Sequence, residues 1–313
     1  MDWTEKPIDV ISTGEILIDM IGQQMNHSLS ETEDFQRFLG GSPANVALNL
    51  NSLKLNVRFV GSIGHDGLGK YILNEFESNK LSIENLRLDQ TLPTSIIIVS
   101  KTSGTPEFMP YRAADYHIQE SQFTKRLLQQ TKVFHTTCFA LSKQPAQEAI
   151  LKAARQAKNF GAELSIDLNY APQIWSNKAE AVAVIQKYLQ LNPLLKISED
   201  DVNRLLDTSL SHQEIFDYFQ SKLGVNRIYL TLGSQGVKYL DKHGKIIHLA
   251  AQPIKYVKDA TGAGDAFWSG FLYGYTKSLS QEKCLKLGLK LAAIKLQNIG
   301  GLPKDLKDFY DTF

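Results

Sequence analysis

Apolar residues along the chain follow two rhythms. Nearly continuous apolar runs at 9–18, 57–63, 132–137, 163–168, 195–198 and 227–231 predict buried β-strands, because a strand covered on both faces carries apolar side chains at successive positions. Between them, 45–53, 146–160, 179–189 and 282–297 repeat apolar residues at three- and four-residue spacing, the pattern of an amphipathic helix. Strands separated by helices predict an α/β fold, a mostly parallel sheet covered on both faces. Two segments break the rhythm. Residues 35–39 and 94–111 read as short strands, and Ser103-Gly104-Thr105-Pro106 in the second supplies a turn with no helix. A small β lid of residues 18–39 and 93–114 is therefore expected, inserted into a core of 1–17, 40–92 and 115–313.

Composition and charge narrow the partners. The chain of 313 residues has a formal net charge of +1, which offers no electrostatic reason to bind nucleic acid or a membrane surface. Residues 1–9 carry Asp2, Glu5 and Lys6 without a long apolar stretch, so neither a signal peptide nor a span is expected and a cytoplasmic location follows by default. Cys138 and Cys284 stand far apart in apolar neighbourhoods and are expected as free buried thiols. His135 and Cys138 lack a second pair at metal-ligand spacing and read as core. Trp175, Trp268, Phe267, Phe271, Tyr273 and Tyr275 read as core or pocket walls, and Lys283, Lys286, Lys290 and Lys295 as a solvated helix face.

The most informative stretch is Asp259-Ala260-Thr261-Gly262-Ala263-Gly264-Asp265-Ala266-Phe267. Gly262, Ala263 and Gly264 let successive backbone N–H groups converge, and the helix that follows adds its unpaired first-turn donors and the positive end of its dipole. The product is an anion pocket, with Asp265 at its mouth able to accept a proton from an attacking hydroxyl. A dinucleotide fingerprint would need a small residue where Phe267 stands. Gly64 to Lys70 follows the Walker spacing, but Tyr71 replaces the magnesium-binding Ser or Thr, so that stretch reads as a loop and helix cap. A second glycine motif, Phe38-Leu39-Gly40-Gly41-Ser42-Pro43-Ala44-Asn45, leads from a lid strand into a helix. Its Gly-Gly pair admits a ligand close to the backbone, and Asn45 offers the donor and acceptor that sugar hydroxyls require.

In this order, the two motifs resemble the two signatures of the ribokinase/PfkB family of carbohydrate kinases, and the likeness extends over nearly the whole chain. The resemblance implies a ribokinase-like three-layer α/β/α fold with ATP and Mg2+ as cofactors. Asp265 matches the catalytic base, and Gly262, Ala263 and Gly264 the anion hole. Asp19, at the end of Gly14-Glu15-Ile16-Leu17-Ile18-Asp19, joins Gly40, Gly41 and Asn45 on the sugar side. The nucleotide side is implied by Thr231, Gly233, Ser234 and Gly236. Ser198 and Asp201 stand where relatives organise the magnesium shell, Asp201 through water because it is one methylene shorter than the usual Glu. Asp259 and Thr261 match positions that hold a monovalent cation, K+, in many members.

The sugar is read from two further segments. Arg112 lies in a stretch that resembles the lid segment of fructokinases and 2-keto-3-deoxygluconate kinases, where the arginine contacts substrate. Asn169 lies in a strand end resembling Asp-x-Asn-x-Arg-Pro, but Ala171 replaces the arginine. That loss favours a neutral ketohexose such as fructose, ahead of 2-keto-3-deoxygluconate and then ribose. A sugar- or nucleotide-binding regulator and a nicotinamide dehydrogenase are the other classes, the second disfavoured by the absent fingerprint. A lid that closes over sugar, and a homodimer formed through lid edges, are also expected.

Overall fold

The computed structural model describes residues 3–102 and 107–310, so the expected turn at Ser103-Gly104-Thr105-Pro106 lies outside the described residues. In chain order the strands are β1 (Ile8–Thr13), β2 (Leu17–Met25), β3 (Phe35–Gly40), β4 (Val57–Gly64), β5 (Leu86–Asp89), β6 (Ile96–Lys101), β7 (Phe108–Tyr111), β8 (Thr131–Thr137), β9 (Glu163–Asp167), β10 (Leu194–Ser198), β11 (Ile228–Thr231), β12 (Val237–Leu240) and β13 (Ile246–Leu249). The helices are α1 (Ser42–Ser52), α2 (Gly67–Ser78), α3 (Lys125–Gln129), α4 (Ala146–Asn159), α5 (Lys178–Leu189), α6 (Glu199–Leu206), α7 (His212–Asp217), α8 (Ala263–Thr276), α9 (Gln281–Leu296) and α10 (Lys307–Tyr310).

Nine strands form the main sheet in the order β13-β12-β11-β10-β9-β8-β1-β4-β5, and four form a second in the order β3-β2-β6-β7. From β11 to β5 every pairing in the main sheet is parallel, while β12 and β13 add an antiparallel edge. The strand β1 is buried throughout, as are β8 apart from Lys132, β9, and β10 apart from Ser198, which accounts for the near-continuous apolar runs. Successive residues of a strand point to opposite faces. Leu195 and Ile197 therefore join the cluster under α4 and α5, whereas Leu194 joins the cluster under α1, α8 and α9. These are the three layers the pattern of strands and helices predicts.

Two local expectations need correction. The run 9–18 is not one strand: β1 ends at Thr13, and the chain turns at Gly14, whose φ of 145° suits a residue without Cβ. Leu17 then enters the second sheet, so the uninterrupted apolar run conceals a crossing between sheets. Lys295 does not belong to the solvated face. Lys283 and Lys286 are exposed, but Lys295 is 5% exposed and paired with Asp259. The loop-and-cap reading of Gly64 to Lys70 holds, since Asp66 accepts from Gly69 N and caps α2.

The helix α8 is seated on an aromatic slab. Trp268 stacks on Phe271 with ring centroids 4.6 Å apart and meets Tyr229 of β11 at 5.1 Å, while Tyr239 of β12 stacks on Tyr229 from the other side at 4.8 Å. Trp268 also donates its indole N–H to Ser165 Oγ at 2.8 Å, which fixes the rotation of α8 over β9. We expect Trp268→Ala to cost ~3–5 kcal/mol of stability, the scale of a large aromatic removed from a core. Equilibrium denaturant unfolding checks this, and an unchanged midpoint would contradict the packing role.

Candidate active site

Parallel α/β sheets bind ligands beyond the carboxyl ends of their strands, where the strand order reverses. Here the chain runs outward in one direction from β1 to β4 and β5 and in the other from β8 to β11, so the reversal lies between β1 and β8. The crossing segment Gly14-Glu15-Ile16 and the start of α1 lie at that point.

Gly40 and Gly41 bring α1 there. Gly41 has φ 102°, and a Cβ on it would stand 2.3 Å from the Glu15 carbonyl oxygen. A Cβ on Gly40 would stand 2.3 Å from Asp19 Oδ2, so the pair is glycine because main chain and carboxylate occupy the space. From the other side, α8 starts after Gly262, whose left-handed φ of 74° turns the chain into the helix without a side-chain cap. Its first-turn N–H groups have no acceptor within the helix.

Asp265 in that first turn joins the two helices. Ser42 donates its hydroxyl to Asp265 Oδ1 at 2.6 Å, and Asn45 donates its amide to Oδ2 at 2.9 Å. Burial pushes the Asp265 carboxyl above its usual range, although Ser42, Asn45 and the ammonium groups of Lys196 and Lys295 pull against that. Asp19 on β2 is close enough to feel it. Burial, and then repulsion from Asp265, raise the Asp19 carboxyl to about 7.

Sequence reasoning missed four residues of this constellation: Ser42, Lys196, Asp167 and Glu15. Lys196 Nζ lies 2.6 Å from Asp167 Oδ2, both side chains buried, and 3.2 Å from where a Cβ on Gly264 would stand. Burial opposes its charge, but Asp167, Asp201 and Asp265 outweigh that and hold the ammonium above its ordinary range. The signal was present: a lysine inside a buried run, one position out of phase with Leu195 and Ile197, needs a buried acid, and Asp167 ends the neighbouring strand. Glu15 is wholly buried, accepting from Thr137 Oγ1 at 2.7 Å and from Ser42 N at 3.3 Å. Burial raises its carboxyl to about 8 despite the Thr137 hydrogen bond.

A model of the pfkB family of carbohydrate kinases matches residues 8–306. The ATP-dependent 6-phosphofructokinase of Thermoanaerobacterium thermosaccharolyticum is 32% identical over 97% of this chain and 92% of its own. The 5-dehydro-2-deoxygluconokinase of Lacticaseibacillus casei is 31% identical over 93% and 90%. The structure of Halothermothrix orenii fructokinase superposes with a TM-score of 0.79 at 33% identity, covering 90% of this chain and 98% of that one. This chain belongs to the pfkB family. It is a carbohydrate kinase with the ribokinase-like fold.

Within that family frame the other expected site residues separate into those left open and those already engaged. Thr231 ends β11 and donates to the Ile197 carbonyl at 3.1 Å. Gly233 and Ser234 are exposed in the following turn, and Gly236 closes it with φ 95°. Asn169 uses its Oδ1 to accept from Phe139 N at 3.2 Å. Arg112 is committed elsewhere: its Nε and Nη2 donate to Asp115 Oδ2 at 2.9 and 2.7 Å, its Nη1 donates to Ser142 Oγ, and its side chain is 2% exposed. It is therefore not a surface arginine.

The carboxylates of the two metal assignments are already engaged within the chain. Ser198 and Asp201 form a capping box at the start of α6, with Asp201 Oδ2 accepting from Ser198 N and Oγ and Oδ1 taking Arg204 Nη2 at 2.7 Å. Only an outer role through water is open to Asp201 toward Mg2+. Asp259 Oδ2 lies 2.9 Å from Lys295 Nζ, and Oδ1 accepts from Thr261 N at 2.9 Å. A potassium ion does not suit a carboxylate already neutralised by an ammonium group.

Glu15 generates a stability test. Its carboxyl is raised in the folded chain, so the folded state holds a proton that the unfolded state releases, and stability falls as pH rises from about 4.5 through about 8. Glu15→Gln should flatten that fall. Thermal melts across this window should converge at low pH and separate in favour of the variant toward pH 8. Parallel profiles would contradict the buried neutral acid.

Proposed function

We propose that the chain transfers the γ-phosphoryl group of ATP to a hydroxymethyl group of a neutral ketohexose, fructose first among them. The observation that carries this reading is the Asp265 carboxylate, oriented by Ser42 and Asn45 beside the N-terminus of α8 and close enough to Asp19 to raise its pKa. In the proposed step Asp265 takes the proton of the hydroxymethyl group as its oxygen attacks the γ-phosphorus. The bond from phosphorus to the bridging oxygen breaks, and ADP leaves. A carboxylate raised toward neutrality is a better base than a free one. The N–H groups of Gly262 and Gly264 at the entry to α8, together with the nearby Lys196 ammonium, meet the charge on the migrating group, whereas Ala263 shapes the turn and its N–H donates to the Ala260 carbonyl at 3.2 Å. Asp19, Gly40, Gly41 and Asn45 hold the sugar. Ser198, Thr231, Gly233, Ser234 and Gly236 line the nucleotide side. Mg2+ would enter with ATP, neutralising its phosphates, with Asp201 reaching it through water.

Arg112 supports a neutral sugar. With its guanidinium tied to Asp115 and Ser142, and with Ala171 in place of an arginine, neither position offers a free cation to a carboxylate or a second phosphate. This favours fructose over 2-keto-3-deoxygluconate and over a sugar phosphate, with ribose a further alternative. The four-stranded sheet is the proposed lid, residues 18–39 and 93–114. Its edge strand β7 exposes Met109 and Tyr111, a surface through which two copies can pair.

A coupled ADP-release assay over fructose, ribose, 2-keto-3-deoxygluconate and fructose 6-phosphate should give the highest kcat/KM for fructose. Preference for an acidic substrate would overturn the neutral-sugar reading, and turnover of none would leave a binding regulator. Asp265→Asn should lower kcat by ~10²–10⁴-fold, the range for a lost general base; undiminished turnover would remove Asp265 from the step. Ser42→Ala takes away a hydrogen bond that favours the ionised Asp265. The acid limb of its kcat/KM profile should therefore move to higher pH, and an unmoved limb would count against Asp265 as the group titrating there.

A further inference from the structure

We propose that Lys295 is a covalently tethered substitute for a monovalent cation, so that phosphoryl transfer by this chain requires no potassium. The inference rests on the kinase reading but not on which sugar is taken. Lys295 sits in the last turn of α9, where cationic charge is favoured by the helix dipole. Its Nζ lies 2.9 Å from Asp259 Oδ2 and 3.3 Å from the Asn298 carbonyl oxygen. A carboxylate and a main-chain carbonyl are the oxygen ligands a hard monovalent ion would take, and an ammonium group carries the same charge.

The surrounding bonds show what that charge braces. Asp259 Oδ1 accepts from Thr261 N and Oδ2 accepts from Gly300 N at 3.2 Å, while Lys258 N donates to the Leu296 carbonyl at 2.8 Å. The turn 258–261, which leads into Gly262 and α8, is thus clamped to the end of α9. Lys295 Cε approaches to 3.8 Å of where a Cβ on Gly262 would lie, so the ammonium stands behind the anion pocket. A second cation on the same carboxylate would face this one at short range, which is unfavourable. Lys295 is therefore a positioning residue, acting on the pocket through Asp259 and the turn.

The test compares KCl with tetramethylammonium chloride at equal ionic strength, using any sugar the enzyme turns over. The wild-type rate and melting temperature should be the same in both salts. Lys295→Ala should lose roughly 10–10²-fold in kcat in tetramethylammonium, the scale of a displaced reacting geometry. It should regain rate in KCl or ammonium chloride, and its melting temperature should now rise with K+. Lys295→Met, which keeps the stem without the charge, should stay impaired in both salts. Several-fold stimulation of the wild type by K+, full activity of Lys295→Ala without a small cation, or no rescue of it by K+ or ammonium would each overturn the proposal. If the variants fail to fold, the wild-type comparison decides. If no sugar is turned over, the kinase reading fails separately, and a wild-type melting temperature raised by K+ alone would still overturn the tethered-cation proposal.

Discussion

The Asp265 carboxylate, shared between Ser42 and Asn45, is the contact on which the site depends. It fastens the first turn of α8 to the first turn of α1, two helices separated by about two thirds of the chain. The contact forms only because the backbone on each side can come close: Gly40 and Gly41 admit α1 past Asp19 and the Glu15 carbonyl, and Gly262 turns the chain directly into α8. Polar groups brought together with little water around them then shift one another's ionisation. Burial raises the carboxyls of Asp265, Asp19 and Glu15, and the acids around Lys196 raise its ammonium.

Much of this was legible in the sequence, for reasons that can be named. The buried parallel strands announce themselves as apolar runs because both faces are covered, and the glycine motifs announce themselves because their backbone geometry tolerates little else. The family likeness followed from those motifs, and the match over residues 8–306 agrees with it. What stayed hidden was relational. An apolar run such as 9–18 does not reveal that it passes from one sheet to another, since both halves are buried. Nor does the edge hairpin β12–β13 carry a strong signal, because its strands are only four residues each and the second is not buried.

Partnership was the other hidden property. Arg112, Asp201 and Asp259 look in sequence like free ligands, but each is spoken for: by Asp115, by the α6 capping box with Arg204, and by Lys295. Lys295 shows why helical spacing alone misleads near a helix end. Its neighbours Lys283 and Lys286 are exposed, yet the last turn of α9 runs under the 258–261 turn and the same residue type becomes interior there.

The aromatic slab under α8 has a consequence of its own. Tyr229 supports Trp268 and Phe271 on one side and Tyr239 on the other, and it lies on the strand that ends at Thr231. The helix bearing Asp265 and the turn bearing Gly233 thus rest on one foundation stone. Damage to that stone tilts both ends of the cleft together, so its effects would be non-additive with changes made at either end and could not be assigned to one ligand alone.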